Sequence, residues 1–396
     1  MWSIEDKNFM RMALRLAENG RGHVNPNPLV GAVIVKDGQP VAEGWHKRYG
    51  GLHAETDALA SCSTDPAGAT MYVTLEPCCH FGKQPPCTSA IINAGISRVV
   101  VAMKDPNPLV AGHGVEILRE NGIEVCTGLL EEEARYLNRV FIKYITTRRP
   151  WVTAKYAMTL DGRIASYSGD SRWVSCAESR DLAHRMRGGH TGIAAGIGTV
   201  LADDPMLNCR AAGMRQPVRI IVDSRASMPE TSAVARTAGE YPAVLAHTPD
   251  ADRGKLAALE GLGVRTLECR ADRTGMVDLH DMLQKLGEMQ IDSVLLEGGA
   301  ELDWSMVSGG LVDEFYIFIA PKIIGGRSAK GPVGGTGFSM MADAIQLEVE
   351  SAVPCGEDIL VHAFPGGAGW LRDNGDGRRN STRTASGKEE YRCLQE

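Results

Sequence analysis

Two short stretches hold the residue types most able to do chemistry: His53-Ala54-Glu55, and Pro77-Cys78-Cys79-His80-Phe81-Gly82-Lys83-Gln84-Pro85-Pro86-Cys87. The imidazole of His53 and the thiolates of Cys78 and Cys87 suit Zn²⁺, and three protein ligands leave a fourth position open for water. Glu55 lies two residues past the histidine, so its carboxylate falls beside the open position and not on the metal. There it can take a proton from the water and pass it to a departing amine. Both stretches follow predicted strands and open predicted helices, whose first amides favour thiolate over thiol. A second reading makes Cys78, Cys79, His80 and Cys87 a closed structural site. It leaves His53, Glu55 and Pro77 without a role, and Cys79 and His80 are otherwise a packed thiol and a substrate contact.

The order His-x-Glu, then Pro-Cys and Cys, is the signature of zinc-dependent deaminases. Charge narrows the substrate. The 396 residues include 42 Lys and Arg against 49 Asp and Glu, net −7. Residues 1–150 are net neutral, 151–364 are strongly acidic, and neither half offers a basic surface to a polyanion. A single-stranded nucleic-acid base deaminase is therefore the alternative, together with a zinc-binding module that has lost activity. A small anionic ligand needs only a few local cations and stays open. No apolar run is long enough to cross a membrane. Without a secretion-signal layout at Met1-Trp2-Ser3, the ten cysteines read as reduced thiols or metal ligands of a cytoplasmic protein.

The elements that must position these residues follow from pattern. Ser3 and Asp6 form a capping box before the stripe Phe9, Met12, Ala13, Leu16, Ala17, which predicts a first helix ended by Asn19-Gly20. Residues 30–35 and 41–45, joined at Asp37-Gly38, read as a β-hairpin. Helices over 53–60, 88–94 and 114–121 then interleave with strands over 71–75, 98–103 and 124–126, giving a layered α/β domain. One long polar helix is expected over 131–147. It runs into Arg148-Arg149-Pro150, and the residue before a proline is driven out of helical conformation, so the first domain is taken as 1–147. The second domain, 148–364, reads as α/β again. Its strands fall at 151–157, 192–195, 218–222, 243–247, 293–297 and 315–320, with helices at 178–187, 252–259 and 279–289. Residues 365–396, rich in Gly, Arg, Ser and Thr, are expected to be a disordered tail.

Two glycine segments stand out in the second domain. Leu295-Leu296-Glu297-Gly298-Gly299-Ala300 reads as strand, turn and helix start, and Gly196-Ile197-Gly198-Thr199-Val200 as a loop of the same kind. Glycines let backbone amides approach a phosphate, and a helix N-terminus favours its charge; plain tight turns are the alternative. No Gly-x-Gly-x-x-Gly follows the first strand, which argues against a Rossmann fold. Lys155 sits within an apolar strand and needs a partner there, either a ligand oxygen or Glu297.

The segments 25–33, Gly44-Trp45-His46, Gly50-Gly51-Leu52-His53-Ala54-Glu55 and 76–87 closely resemble the deaminase half of the bifunctional riboflavin-biosynthesis deaminase-reductases, whose eight-residue cysteine gap with Gly82 and Pro85-Pro86 is typical. Residues 155–165, 169–173, 198–210 and Glu297-Gly298-Gly299-Ala300 resemble the reductase half. The resemblance covers residues 1 to about 364. It implies a cytidine-deaminase-like three-layer domain followed by a dihydrofolate-reductase-like domain, with one Zn²⁺ per chain and NADPH. By position, Ala157, Trp173, Thr199, Asp203 and the turn from Gly299 are expected to line the NADPH site. Ser171, Arg187, Leu207, Arg210 and Glu297, with Lys155, are expected to face a sugar-phosphate substrate, for which paired arginine forks are apt. The implied reactions are deamination of 2,5-diamino-6-(5-phosphoribosylamino)pyrimidin-4-one and reduction of its ribosyl chain to ribityl. The implied partner is this small pyrimidine, with no nucleic acid and no membrane; a homo-oligomer is left open.

Overall fold

The Ser3 hydroxyl accepts from the Asp6 amide and Asp6 accepts from the Ser3 amide, so the capping box starts helix α1, Ile4–Glu18, where the pattern put it. In this computed structural model, residues 2–81, 84–107 and 111–367 are described. Met10, Ala13 and Ala17 are the fully buried positions of α1, while Phe9, Met12 and Leu16 are only partly buried. The buried stripe is thus centred one position away from Phe9 and Met12.

The chain divides into two units, the first ending at Arg148 and the second beginning at Arg149. The first contains strands β1 (Gly31–Lys36), β2 (Gln39–Trp45), β3 (Thr70–Leu75), β4 (Arg98–Met103) and β5 (Glu124–Thr127). They form one sheet in the order β2-β1-β3-β4-β5, with β1 antiparallel to both neighbours and β3, β4 and β5 parallel. Helices α2 (Ala54–Ser61), α3 (Cys87–Asn93) and α4 (His113–Glu120) pack in succession, and α1 packs with α5 (Glu131–Leu137). Two glycines show how closely helices lie on both faces. Gly31 and Gly44 occupy opposite faces of the β1–β2 pair. A Cβ on Gly31 would fall within the backbone of α1 at Ala13, and one on Gly44 within the backbone of α2 at Ala58. The result is the three-layer arrangement expected.

The expected long helix over 131–147 is instead two, α5 and α6 (Arg139–Thr147), broken at Asn138. The Asn138 side chain accepts from the Leu29 amide at 2.8 Å and donates to the Leu29 carbonyl at 2.9 Å. That clasp fixes Asn138 outside helical geometry, and α6 then buries Phe141 and Ile142 in the core.

The second unit contains β6 (Trp151–Thr159), α7 (Ala177–Gly189), β7 (Gly192–Gly196), α8 (Ile197–Asp203), β8 (Val218–Val222), α9 (Ala233–Arg236), β9 (Ala243–His247), α10 (Arg253–Gly261), β10 (Arg265–Glu268), α11 (Leu279–Glu288), β11 (Ser293–Leu296), α12 (Ala300–Ser308), β12 (Glu314–Ala320), β13 (Leu347–Cys355) and β14 (Asp358–Pro365). The sheet order is β10-β9-β8-β7-β11-β6-β12-β14-β13. It is parallel from β10 to β12, and the β13–β14 hairpin closes one side antiparallel. Strand order reverses around β11, which slots between β6 and β7. In open α/β sheets a ligand crevice forms at such a switch, beyond the carboxyl ends of the strands. Pro365 pairs with Leu347 and the Gly366 amide bonds to the Gln346 carbonyl, so the fold runs past the 364 boundary; residues 368–396 lie outside the described residues.

Candidate active sites

The first site is built where two helices begin. His53 is the N-cap of α2, Cys78 follows the end of β3, and Cys87 is the first residue of α3. Their ligand atoms cluster within 4.8 Å: His53 Nδ1 lies 3.4 Å from Cys78 Sγ and 3.3 Å from Cys87 Sγ. Tetrahedral Zn²⁺ with Zn–S of about 2.3 Å and Zn–N of about 2.0 Å calls for N···S edges of about 3.5 Å, so the donors fit the ion in kind and spacing. Cys79 and His80 stand outside this cluster, and the closed four-ligand alternative is not formed.

The α3 amide of Cys87 points at Cys78 Sγ, 3.4 Å away. The Cys87 thiol donates toward Cys78, and with His53 this holds the Cys78 thiol down to about 4, while Cys87 is pushed up. The two sulfurs share one proton, which a dication would displace. Glu55 is buried on the first turn of α2 and is not a member of the ligand cluster. Burial, then the Cys78 thiolate, pushes its carboxyl up to about 7. A general acid-base group works best near the operating pH.

Sequence reasoning assigned no role to three other residues here. His46 is buried; its Nδ1 donates to the Leu52 carbonyl at 2.8 Å, leaving Nε2 to accept from Asn27 Nδ2 at 3.2 Å, and its ring meets His53 edge-on at 5.5 Å. A histidine closing a strand seven residues before the ligand was the available signal. Glu76, also buried, accepts from the amides of Asp105, Gly112 and Val115, so the segment carrying Cys78 is tied to the start of α4.

The second site lies at the carboxyl ends of β6, β7 and β11. Arg187 on α7 grips Glu297 with both arms of its fork, Nε to Oε1 at 2.9 Å and Nη2 to Oε2 at 2.8 Å. Lys155 Nζ on β6 lies 4.0 Å from Glu297 Oε2, so the strand ammonium has its partner. Burial pushes the Glu297 carboxyl up, but Arg187 and then Lys155 outweigh it and hold it at about 2. Arg187 is thereby committed to Glu297 and to the Asn208 carbonyl, and Arg210 is left as the cation facing solvent. Arg210 donates to His184 Nε2 at 2.9 Å, and burial with Arg187 and Arg210 holds that imidazole near 4 and neutral. Arg180, His184, Arg185 and Arg210 line a cavity of about 450 Å³.

An acid-stability prediction follows from Glu297. A carboxyl depressed in the fold stabilises above its ordinary value of 4.5, and that contribution fades as pH falls toward about 2. Roughly 3 kcal/mol is at stake. The stability gap between the parent chain and Glu297→Gln, measured by thermal unfolding, should therefore shrink steadily across that window; a constant gap would contradict the pairing.

The two glycine segments are stitched together. Gly196 N donates to the Gly298 carbonyl at 3.0 Å and Thr199 Oγ1 to the same oxygen at 3.2 Å. Gly299 has φ +78°, and a Cβ there would stand 2.5 Å from Thr199 Oγ1. The helix starts of α8 and α12 thus emerge side by side from adjacent parallel strands, with a bare backbone turn between them. This cradle fits the phosphates of a dinucleotide. The segment from Gly196, read as a loop, is already the first turn of α8. Ala157 lies on β6, Ser171 and Trp173 in the connection from β6 to α7, and Asp203 at the exposed end of α8. The Trp173 carbonyl accepts from Lys322, and Arg180 lies 4.6 Å over its ring. Leu207 has φ +52° and is buried as a whole residue in the hydrophobic core.

The cytidine and deoxycytidylate deaminase zinc-binding region matches residues 3–103, and the RibD C-terminal domain matches residues 150–361. Fold, sites and matches together define a class: a zinc-dependent deaminase domain joined to a reductase domain on one chain. The riboflavin biosynthesis protein RibD of Actinobacillus pleuropneumoniae is 49% identical over 91% of this chain and 95% of its own. Acinetobacter baumannii RibD (form 2) superposes with TM-score 0.80 at 36% identity, covering 91% of this chain and 99% of that one. The Thermotoga maritima diaminohydroxyphosphoribosylaminopyrimidine deaminase/5-amino-6-(5-phosphoribosylamino)uracil reductase gives 0.81 at 38%, with the same coverage. The chain belongs to the RibD family of bifunctional, zinc-binding and NADP-dependent deaminase-reductases of riboflavin biosynthesis. No described helix is long and apolar enough to cross a membrane.

Proposed function

We propose that this chain carries out two consecutive steps on one phosphorylated pyrimidine: removal of the 2-amino group of 2,5-diamino-6-(5-phosphoribosylamino)pyrimidin-4-one as ammonia, then reduction of the ribosyl chain by NADPH to give 5-amino-6-(5-phosphoribitylamino)uracil. The observation that carries it is the buried Glu55 carboxyl beside, but not within, the His53, Cys78 and Cys87 cluster.

His53, Cys78 and Cys87 would hold the zinc ion, which when bound makes a water acidic enough to deprotonate near neutral pH. Glu55 takes that proton on its carboxylate and returns it to the leaving nitrogen, so the group leaves as ammonia. The Asn27–His46 pair fixes the imidazole beside the ligand histidine and leaves His46 uncharged, since burial holds it below its ordinary value. When bound in the second unit, NADPH would supply a hydride to C1 of the ribosyl group as the bond from C1 to the ring oxygen opens and that oxygen takes up a proton from solvent. The chain's part there is placement. Thr199, Gly299, Ala157, Trp173 and Asp203 position the cofactor, and Lys155, Glu297, Arg187, Ser171, Leu207 and Arg210 position the sugar phosphate. The small phosphorylated substrate and a reducing cytoplasmic setting suited to nine free cysteines among the described residues complete the reading.

The test is to supply the diaminopyrimidine to zinc-loaded protein with and without NADPH, following ammonia and NADPH separately. Ammonia should appear without NADPH, and NADPH should be consumed only once the deaminated intermediate exists. NADPH consumption that precedes ammonia would reverse the order. Arg210→Ala should lower reductase kcat/KM about tenfold or more, the worth of one charge-assisted phosphate contact, while NADPH affinity and deaminase turnover hold. Collapse of NADPH binding with an unchanged substrate KM would move Arg210 to the cofactor site.

A further inference from the structure

Asp303 sits on the first turn of α12, against the Gly298–Gly299 turn. It is 4% exposed, and its Oδ1 has no hydrogen-bond partner among the described residues. A Cβ on Gly298 would stand 2.5 Å from that oxygen, so bare backbone is all that fits between the carboxyl and the cradle. The titratable groups around it are Glu297 after β11, Lys155 and Tyr156 on β6, and Glu301 on α12 itself. Of these Glu297 is already ionised and held by Arg187 and Lys155, and Glu301 turns toward the Gly335 amide at 3.4 Å. Burial and the neighbouring Glu297 carboxylate disfavour a second negative charge here and outweigh the nearby Gly298 amide and Lys155, which favour it, so the protonated acid prevails. Burial pushes the Asp303 carboxyl up to about 8.

We propose that Asp303 is a positioning residue of the reductase: as a neutral acid it lets the Gly298–Gly299 turn and the first amides of α12 hold the phosphates of NADPH, and its ionisation drives them off. The inference rests on the reading of this turn as the cofactor cradle. The start of a helix carries about half a positive charge, and a full negative charge within its first turn cancels the attraction for an anion. A neutral carboxyl leaves that field intact. Binding therefore favours the protonated form, so affinity is level below about pH 8 and falls above it, by at most about tenfold per pH unit. The cofactor's own phosphomonoester loses its second proton near pH 6 and keeps constant charge above neutrality.

The experiment is NADPH titration by fluorescence on the full chain from about pH 7 to 9.5, with thermal shift on NADPH addition as a second readout. The parent chain should lose roughly tenfold or more in affinity across this range. Asp303→Asn, a mimic of the neutral acid, should bind at pH 7 within about twofold of the parent and stay level to 9.5. A level parent profile overturns the proposal, and so does an Asp303→Asn profile that falls like the parent's. Gly299→Ala separates this from the underlying reading, because its Cβ would meet Thr199. If that variant binds NADPH normally, the turn is not the cradle and both ideas fall. If it weakens binding at every pH while the parent profile is level, only the role of Asp303 is lost.

Discussion

Glu55→Gln should retain its zinc and lose deaminase turnover by about two to four orders of magnitude, the range supplied by a well-placed proton-transfer group. The amide keeps the size and burial of the carboxyl beside Cys87 but can neither take nor return a proton. Metal content by elemental analysis should match the parent, because the three ligand atoms cluster without Glu55. NADPH oxidation on substrate already deaminated should also match, since the change is confined to the first unit. Loss of zinc from this variant would make Glu55 a ligand and overturn the mechanism. An inactive zinc-binding module would instead show no ammonia release in the parent chain.

Arg187→Met should cost about 3–5 kcal/mol of stability in the second unit and abolish measurable reductase turnover. The change strands Glu297, an ionised carboxylate whose side chain is only 13% exposed, with Lys155 at 4.0 Å as its remaining partner. For a unit of this size that corresponds to a fall in Tm on the order of 10 °C. Adding Glu297→Leu removes the stranded carboxylate and should restore part of the stability, because replacing both members of a buried pair is cheaper than breaking it, although Lys155 then loses its partner. Activity should not return. Were the double variant to regain turnover with its stability, the pair would be scaffold alone and would have no part in holding substrate.

How far the sequence could be read varies with how local the signal is. The zinc cluster was legible because three ligand types, the following carboxylate and the helix starts all lie within two short stretches. The strands of the first unit were legible for a similar reason, since apolar runs such as Val99–Met103 and the Asp37-Gly38 turn are contiguous patterns. The break at Asn138 was not, because its cause is a clasp with Leu29, more than a hundred residues away. Arg187 illustrates the same limit in a functional residue: its type suited a phosphate, but whether its fork is free depends on Glu297 across the sheet. Asp303 looks like an ordinary acid at a helix start, and only its burial against Gly298 distinguishes it. The β13–β14 hairpin and the short β10 were passed over, β13 because an edge strand with both faces largely exposed gives little burial pattern to read.

The order of strands in the second unit has a bearing on how the chain is made. β6 emerges first from the ribosome, yet its two neighbours in the finished sheet are β11 and β12. The stretch from Trp151 to its partner Ser293 spans about 140 residues, roughly ten seconds of synthesis at ordinary rates. Throughout that interval the apolar run Trp151–Thr159 has no strand to pair with. All five strands of the first unit precede β6 in the chain, so the deaminase half can be complete while the heart of the reductase still waits for its last strands.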